Sequence, residues 1–224
     1  MNISYSSITK KIWMSLMGLF LMTFLVVHLG INLLLLFDPS RELFNITAHF
    51  MGTNPPIQIF QWVLFAGFAI HIVLGAVLQI QNWIARPKGY KIRGYSEDSL
   101  FSKYMIYTGI IISVFLVIHF VNFFLKAKAF HTVPEFILNG TPTGMEDMGI
   151  VVKQLFEIPI YVIGYIIALL IVGFHLDHAF QSAFQSLGLY HKKYTPFIKG
   201  FGHVYSIVIT LGYILIPVVI YFSK

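Results

Sequence analysis

Five apolar stretches, Ile12–Phe37, Ile57–Ile84, Tyr104–Leu125, Ile158–Leu187 and Phe201–Phe222, account for most of this 224-residue chain. A helix needs about 20 apolar residues to cross the hydrocarbon of a bilayer, and every stretch is long enough. Backbone polar groups in lipid find no water, so each stretch must satisfy its own hydrogen bonds as a helix. The expected fold is an all-α integral membrane protein, a five-transmembrane-helix bundle forming a single membrane domain over residues 1–224. The first stretch is too long for a signal-peptide core and no A-x-A-type site follows it, so it is read as a retained helix. Pro39 and Pro55-Pro56 bound the first gap, and Arg86-Pro87 closes the second helix.

With 57% hydrophobic and 11% charged residues, the formal charge of +6 is carried by the gaps between stretches. Lys10, Lys11, Arg86, Lys88, Lys91, Arg93, Lys103, Lys192, Lys193 and Lys199 fall on one side. Arg41, Lys126, Lys128, Lys153 and Lys224 fall on the other, diluted by Asp38, Glu42, Glu135, Glu146, Asp147 and Glu157. The positive-inside rule then places the N-terminus inside and the C-terminus outside. Topology accounts for the basic residues, so no nucleic-acid partner is expected. The chain has no cysteine, which excludes an iron–sulfur cluster, C-x-x-C-H haem attachment and disulfides within it. The 126–157 gap has room for a short helix or an external cap, with Gly140, Pro142 and Gly144 marking a turn.

Four stretches each hold one deep histidine: His28, His71, His119 and His175. A lone intramembrane histidine is ordinarily a hydrogen-bonding link to a neighbouring helix, but neutral imidazole is also a haem ligand. At about 1.5 Å of rise per residue, His28 and His119 lie roughly 10–17 Å below the outer ends of their helices, and His71 and His175 roughly 22–24 Å. Two matched depths imply two bis-histidine sites: His28 with His119 for an outer haem, His71 with His175 for an inner one. Gly67 and Gly75 flank His71 by four residues each and Gly164 precedes His175 by 11, so each shares roughly a face with its histidine and leaves room for a flat macrocycle. Metal binding without a porphyrin is disfavoured, because no Cys, Asp or Glu accompanies His28, His71 or His119 at ligand spacing.

His178, three residues after His175, is the second choice for haem contact, as ligand or toward a propionate. Asp177 is the lone carboxylate within an apolar stretch and is expected to pair with an inner Lys or Arg. His203, His191, His49 and His131 are read as interfacial or solvated, and Met14, Met17, Met22 and Met105 as packing. Trp13, Trp62 and Trp83 fit an aromatic belt.

One histidine on each of helices I to IV, none deep in helix V, and the run Phe174-His175-Leu176-Asp177-His178-Ala179-Phe180-Gln181-Ser182-Ala183-Phe184-Gln185-Ser186-Leu187-Gly188 resemble the di-haem cytochrome b subunit of succinate:menaquinone oxidoreductases and fumarate reductases. The resemblance spans essentially the whole chain. It implies two b-type haems, on His28 and His119 and on His71 and His175, and favours His175 over His178 as ligand. It further implies a multi-pass protein of the bacterial inner membrane, with a flavoprotein subunit and an iron–sulfur subunit on the inner face and menaquinone as electron acceptor or donor. Such an anchor supplies haem electron transfer and the quinone site, not the dicarboxylate site. Family members often carry a carboxylate at the outer end of helix II, but Thr53 to Gln61 has none; Glu42 and His49 are the substitutes offered here.

Two other readings stand beside this one. The cytochrome b subunit of a membrane hydrogenase or formate dehydrogenase is of similar size, with its ligands distributed differently among the helices. A non-haem transporter or structural membrane protein would use the histidines as helix links, though a transporter more often shows broken helices.

Overall fold

In the computed structural model the described residues are 7–85 and 98–223. Arg86, Pro87, Lys88, Lys91, Arg93 and Lys224, to which the sequence assigns roles in topology, lie outside them. The elements run α1 Ser7–Phe37, α2 Glu42–Thr53, α3 Pro55–Ala85, α4 Asp98–His119, a π-helical turn Phe120–Phe124, α5 Leu125–Lys128, β1 Glu135–Leu138, β2 Thr141–Glu146, α6 Met148–Phe156, α7 Pro159–Ser186 and α8 Thr195–Phe222. Five helices are long and apolar enough to cross a membrane: Ile8–Phe37, Pro55–Ala85, Tyr104–Lys128, Pro159–Ser186 and Thr195–Phe222. The chain is thus a multi-pass, predominantly helical membrane protein.

Several boundaries differ from the sequence reading for one reason. Pro55 and Pro56 do not end a gap but open α3, and Pro196 lies in the first turn of α8, which begins six residues earlier than expected. Proline lacks only an N–H that a first-turn residue could not have paired within the helix.

The gaps on one end of the bundle build a cap. The first is mostly helix: Phe44 and Asn45 of α2 are buried, while Leu43, Ile46 and Phe50 form an exposed apolar stripe. The second contains a hairpin, a small departure from an all-α fold. Asn139 and Gly140, with φ of 51° and 81°, make the two-residue turn that joins β1 to β2, and Phe136, 1% exposed, anchors it. Positive φ at both positions is the geometry Asn-Gly favours.

Asp147 fastens the cap together. It caps α6 by accepting from the Ile150 N–H at 2.9 Å, and it takes Asn45 Nδ2 at 2.8 Å and the Arg41 guanidinium at 2.8 and 3.2 Å. Asn45 Oδ1 in turn accepts from the Gly149 N–H at 2.9 Å. Burial raises the Asp147 carboxyl, but the hydrogen bonds from Arg41, Asn45 and Ile150 and the Arg41 charge outweigh it, leaving it below the usual range. Arg41 holds a left-handed backbone (φ 67°), uncommon for a residue with a Cβ, and its ion pair helps fix it there.

Below the cap, α1 packs on α3, α7 and α8, and α4 packs on α7 and more lightly on α3. The helices α1, α3, α4 and α7 therefore stand as a ring of four, and α8 lies outside it against α7 and α1. Glycines let α8 approach closely: a Cβ on Gly173 would run into the Thr210 side chain, and Gly212 and Gly202 face Leu29 and Phe180. Tyr205 and Tyr213 donate to the Met22 and Leu25 carbonyls at 2.6 and 2.9 Å, tying α8 to α1.

Candidate functional site

Helix rise places the four deep histidines at two levels. His28 and His119 are each nine residues from the capped end of their spans, about 14 Å, whereas His71 and His175 are 16 residues in, about 24 Å. At the level near the cap, the His28 and His119 rings have centroids 5.9 Å apart at an interplanar angle of 85°. At the far level, His71 and His175 are 6.4 Å apart at 75°. Each pair joins opposite corners of the ring of four, α1 to α4 and α3 to α7. Cofactor sites in helical bundles are built this way, from inward side chains on facing helices.

The spacing would let both rings of a pair reach one metal ion between them. Imidazole–metal bonds of about 2.0–2.1 Å, with ring centres about 1.1 Å behind their nitrogens, put two opposed centroids about 6.3 Å apart. Among the described residues no group of three or more His, Cys, Asp and Glu gathers to hold a metal. Two imidazoles per level are fewer protein donors than a zinc site takes, and would be enough for a group that brings nitrogen ligands of its own.

The surroundings of the two pairs differ. Around His28 and His119 lie Phe24, Phe115, Phe123, Tyr165 and Tyr213, all within ring-contact range. Asn32 Nδ2 donates to the His28 carbonyl at 2.7 Å and sits 3.5 Å from both ring nitrogens. Directly after His119 the helix widens into the π turn, whose buried Asn122 donates to Tyr165 Oη at 3.0 Å. Single π turns inside α-helices recur at functional sites. Nothing but the isolated polar Asn122 in an apolar run signalled it in the sequence.

At the far level, Thr108 of α4 places its Oγ1 3.0 Å from His175 Nδ1. The glycine beside His71 is Gly18 of α1, where a Cβ would lie 3.5 Å from His71 Cε1. Sequence reasoning missed both, because neither shares a helix with the histidine it meets. Of the glycines it did choose, Gly75 and Gly164 have nothing within 4 Å of an added Cβ, but Gly67 faces the Phe20 ring at 3.2 Å and leaves no room for a macrocycle.

His178 lines a different space from His175. With Tyr104, Met105, Thr108, Ile171 and Phe174 it borders a cavity of about 210 Å³ between α4 and α7, while His175 is the ring set against His71. Among the described residues Asp177 pairs with His203 at the start of α8, its Oδ1 2.5 Å from Nδ1. The α7–α8 turn brings those two residues together, which removes His203 from the class of merely interfacial histidines. Glu42 and His49 lie on α2 in the cap, and neither belongs to the ring of side chains around His28 and His119.

Set against known protein families, curated proteins and solved structures, the chain matches none of them.

Proposed function

We propose that this chain is the di-haem cytochrome b membrane-anchor subunit of a succinate:menaquinone oxidoreductase or fumarate reductase. The observation that carries the haem reading is the pairing of four imidazoles across both diagonals of one bundle, at two depths and at axial-ligand spacing. The choice of enzyme class rests on the resemblance of the histidine order and of the Phe174–Gly188 run.

His28 and His119 would hold one haem b, and His71 and His175 the other. Bound there, haem supplies one-electron transfer at each level. The chain's own part is to fix the ligand pairs about 10 Å apart in depth, on helices that span the bilayer. The aromatic wall of Phe24, Phe115, Phe123 and Tyr165 keeps water from the cap-side pair. With the N-terminus inside, the far pair faces the inner membrane surface, where iron–sulfur and flavoprotein subunits dock. The cap-side pair faces the quinone, with Glu42 and His49 as the candidate quinone contacts.

The test is purification of a tagged copy from native membranes, with haem quantified as the pyridine haemochrome. About two non-covalent haems per chain, co-purifying flavoprotein and iron–sulfur partners, and succinate-dependent quinone reduction are expected. Haem-free protein would remove the haem reading. Two haems with a hydrogenase or formate-oxidising partner would move the chain to that class.

A further inference from the structure

The far imidazole pair is unequal. His71 faces the Met14 main chain of α1, whereas His175 Nδ1 sits 3.0 Å from a side-chain hydroxyl, Thr108 Oγ1. A threonine in a membrane helix ordinarily bonds a carbonyl one turn back and needs no other partner. Thr108 does this, donating to the Met105 carbonyl at 3.0 Å. A hydroxyl has a single proton. Given to the Met105 carbonyl, that proton leaves Thr108 to face His175 as an acceptor, which would put the imidazole proton on Nδ1 and the lone pair on Nε2.

We infer that Thr108 is a positioning residue for His175: its hydroxyl, oriented by the Met105 carbonyl, selects the Nδ1–H tautomer and presents Nε2 as the ligand nitrogen toward His71. This rests on the haem reading of the site and deepens it. An outer hydrogen bond of this kind fixes the ring and makes the ligand nitrogen more basic, which favours the oxidised metal. The bond is part-buried near the far end of α4, beside the cavity that Thr108 and His178 border. It also gives His175 a partner that the cap-side pair lacks in equivalent form, since Asn32 reaches His28 primarily through the main chain.

Three helices are thereby tied to one site. Thr108 belongs to α4, whose own histidine serves the cap-side pair, so α4 supports both levels: one as ligand, one as the partner of a ligand. The sequence offered no spacing rule for this. Thr108 and His175 are far apart in the chain and meet only because α4 packs on α7.

Two measurements separate this inference from the haem assignment. In haem-free protein with ¹⁵N-labelled histidine, His175 should be the Nδ1–H tautomer, and Thr108→Val, which keeps the shape and removes the acceptor, should return it to a mixture. In haem-loaded protein, Thr108→Val should raise the potential of the far haem alone and weaken its retention about 10–100-fold. Thr108→Ser should restore wild-type behaviour, because it keeps the hydroxyl. A wild-type protein with two haems whose far potential, retention and His175 tautomer are untouched by Thr108→Val would overturn the role of Thr108 and leave the haem reading intact. An Nε2–H tautomer in the wild type would overturn it as well. Absence of haem from the wild type would instead defeat the parent reading.

Discussion

The helices α7 and α8 bury far more of their length in polypeptide than α3 and α4 do. Each of the first two buries seven residues, including Val162, Tyr165 and Leu176 on α7 and Ile209 and Ile216 on α8. In contrast, α3 buries only Gly67 and Leu78, and none of the described side chains of α4 from Tyr104 to His119 is buried. Both sparsely packed helices carry one histidine of a pair, and each partner histidine sits on a better packed helix, His28 on α1 and His175 on α7. The difference teaches where cohesion has to come from. On the α7–α8 side, side chains interdigitate directly; on the α3–α4 side, the proposed haems would bind loosely packed helices to the rest.

Breaking a ligand should show this most plainly. His28→Ala or His119→Ala should lower the haem content from about two to about one and remove the haem near the cap; His71→Ala or His175→Ala should remove the other. Hydrogen exchange should rise in α3 or α4 and stay low in α8. Loss of the same haem from the His28 and His71 variants would refute the diagonal pairing.

The next effect belongs to the cap. Asp147→Ala leaves the Arg41 guanidinium without its partner and Asn45 Nδ2 without its acceptor, and should cost about 1–3 kcal/mol locally. The check is thermal unfolding in detergent followed at each haem, with the cap-side signal lost first.

A smaller effect tests the well-packed side. Gly173→Ala drives a methyl into Thr210 two residues before His175, for about 1–3 kcal/mol of destabilisation. A second change, Thr210→Ala, should recover much of it. Equal loss in single and double variants would mean that the close approach is not what matters there.

Acidification gives a graded version of the cap experiment. The Ser40 hydroxyl and then the Leu43 N–H hold Asp38 below the usual carboxylate value, and Asp147 is lowered too. A carboxyl with a depressed folded value stabilises fully above its ordinary value near 4 and loses that contribution as pH falls through the lowered one. Exchange in α2 and α6 should therefore rise below about pH 4 and not between pH 5 and pH 7, with α8 unchanged. The smallest effect is expected from His178→Ala, which should keep both haems in place.

The features legible in the sequence were those fixed by position along a single helix. Apolar length marked the five spans, and the distance of each histidine from a helix end gave its depth, so His28 could be matched to His119 and His71 to His175 before any contact was known. What escaped depended on contacts between helices or on a choice between turns. Glu42–Thr53 read as a gap because prolines seemed to bound it, yet Pro55 starts the next helix and Phe44 and Asn45 find burial against the cap. His203 was read as interfacial, but the turn between α7 and α8 sets it against Asp177. The π turn after His119 contains neither proline nor glycine to announce it.

The crossed diagonals also set an order of assembly. The chain reaches the membrane from its N-terminus, and each pair joins a spanning helix to the second one after it, α1 to α4 and then α3 to α7. The cap-side pair can close as soon as the third span is inserted. The far pair must wait for the fourth, and for as long as it waits α3 carries His71 without its partner imidazole. A ribosome stalled after α5 would therefore hold a nascent chain with one complete imidazole pair and one half of another.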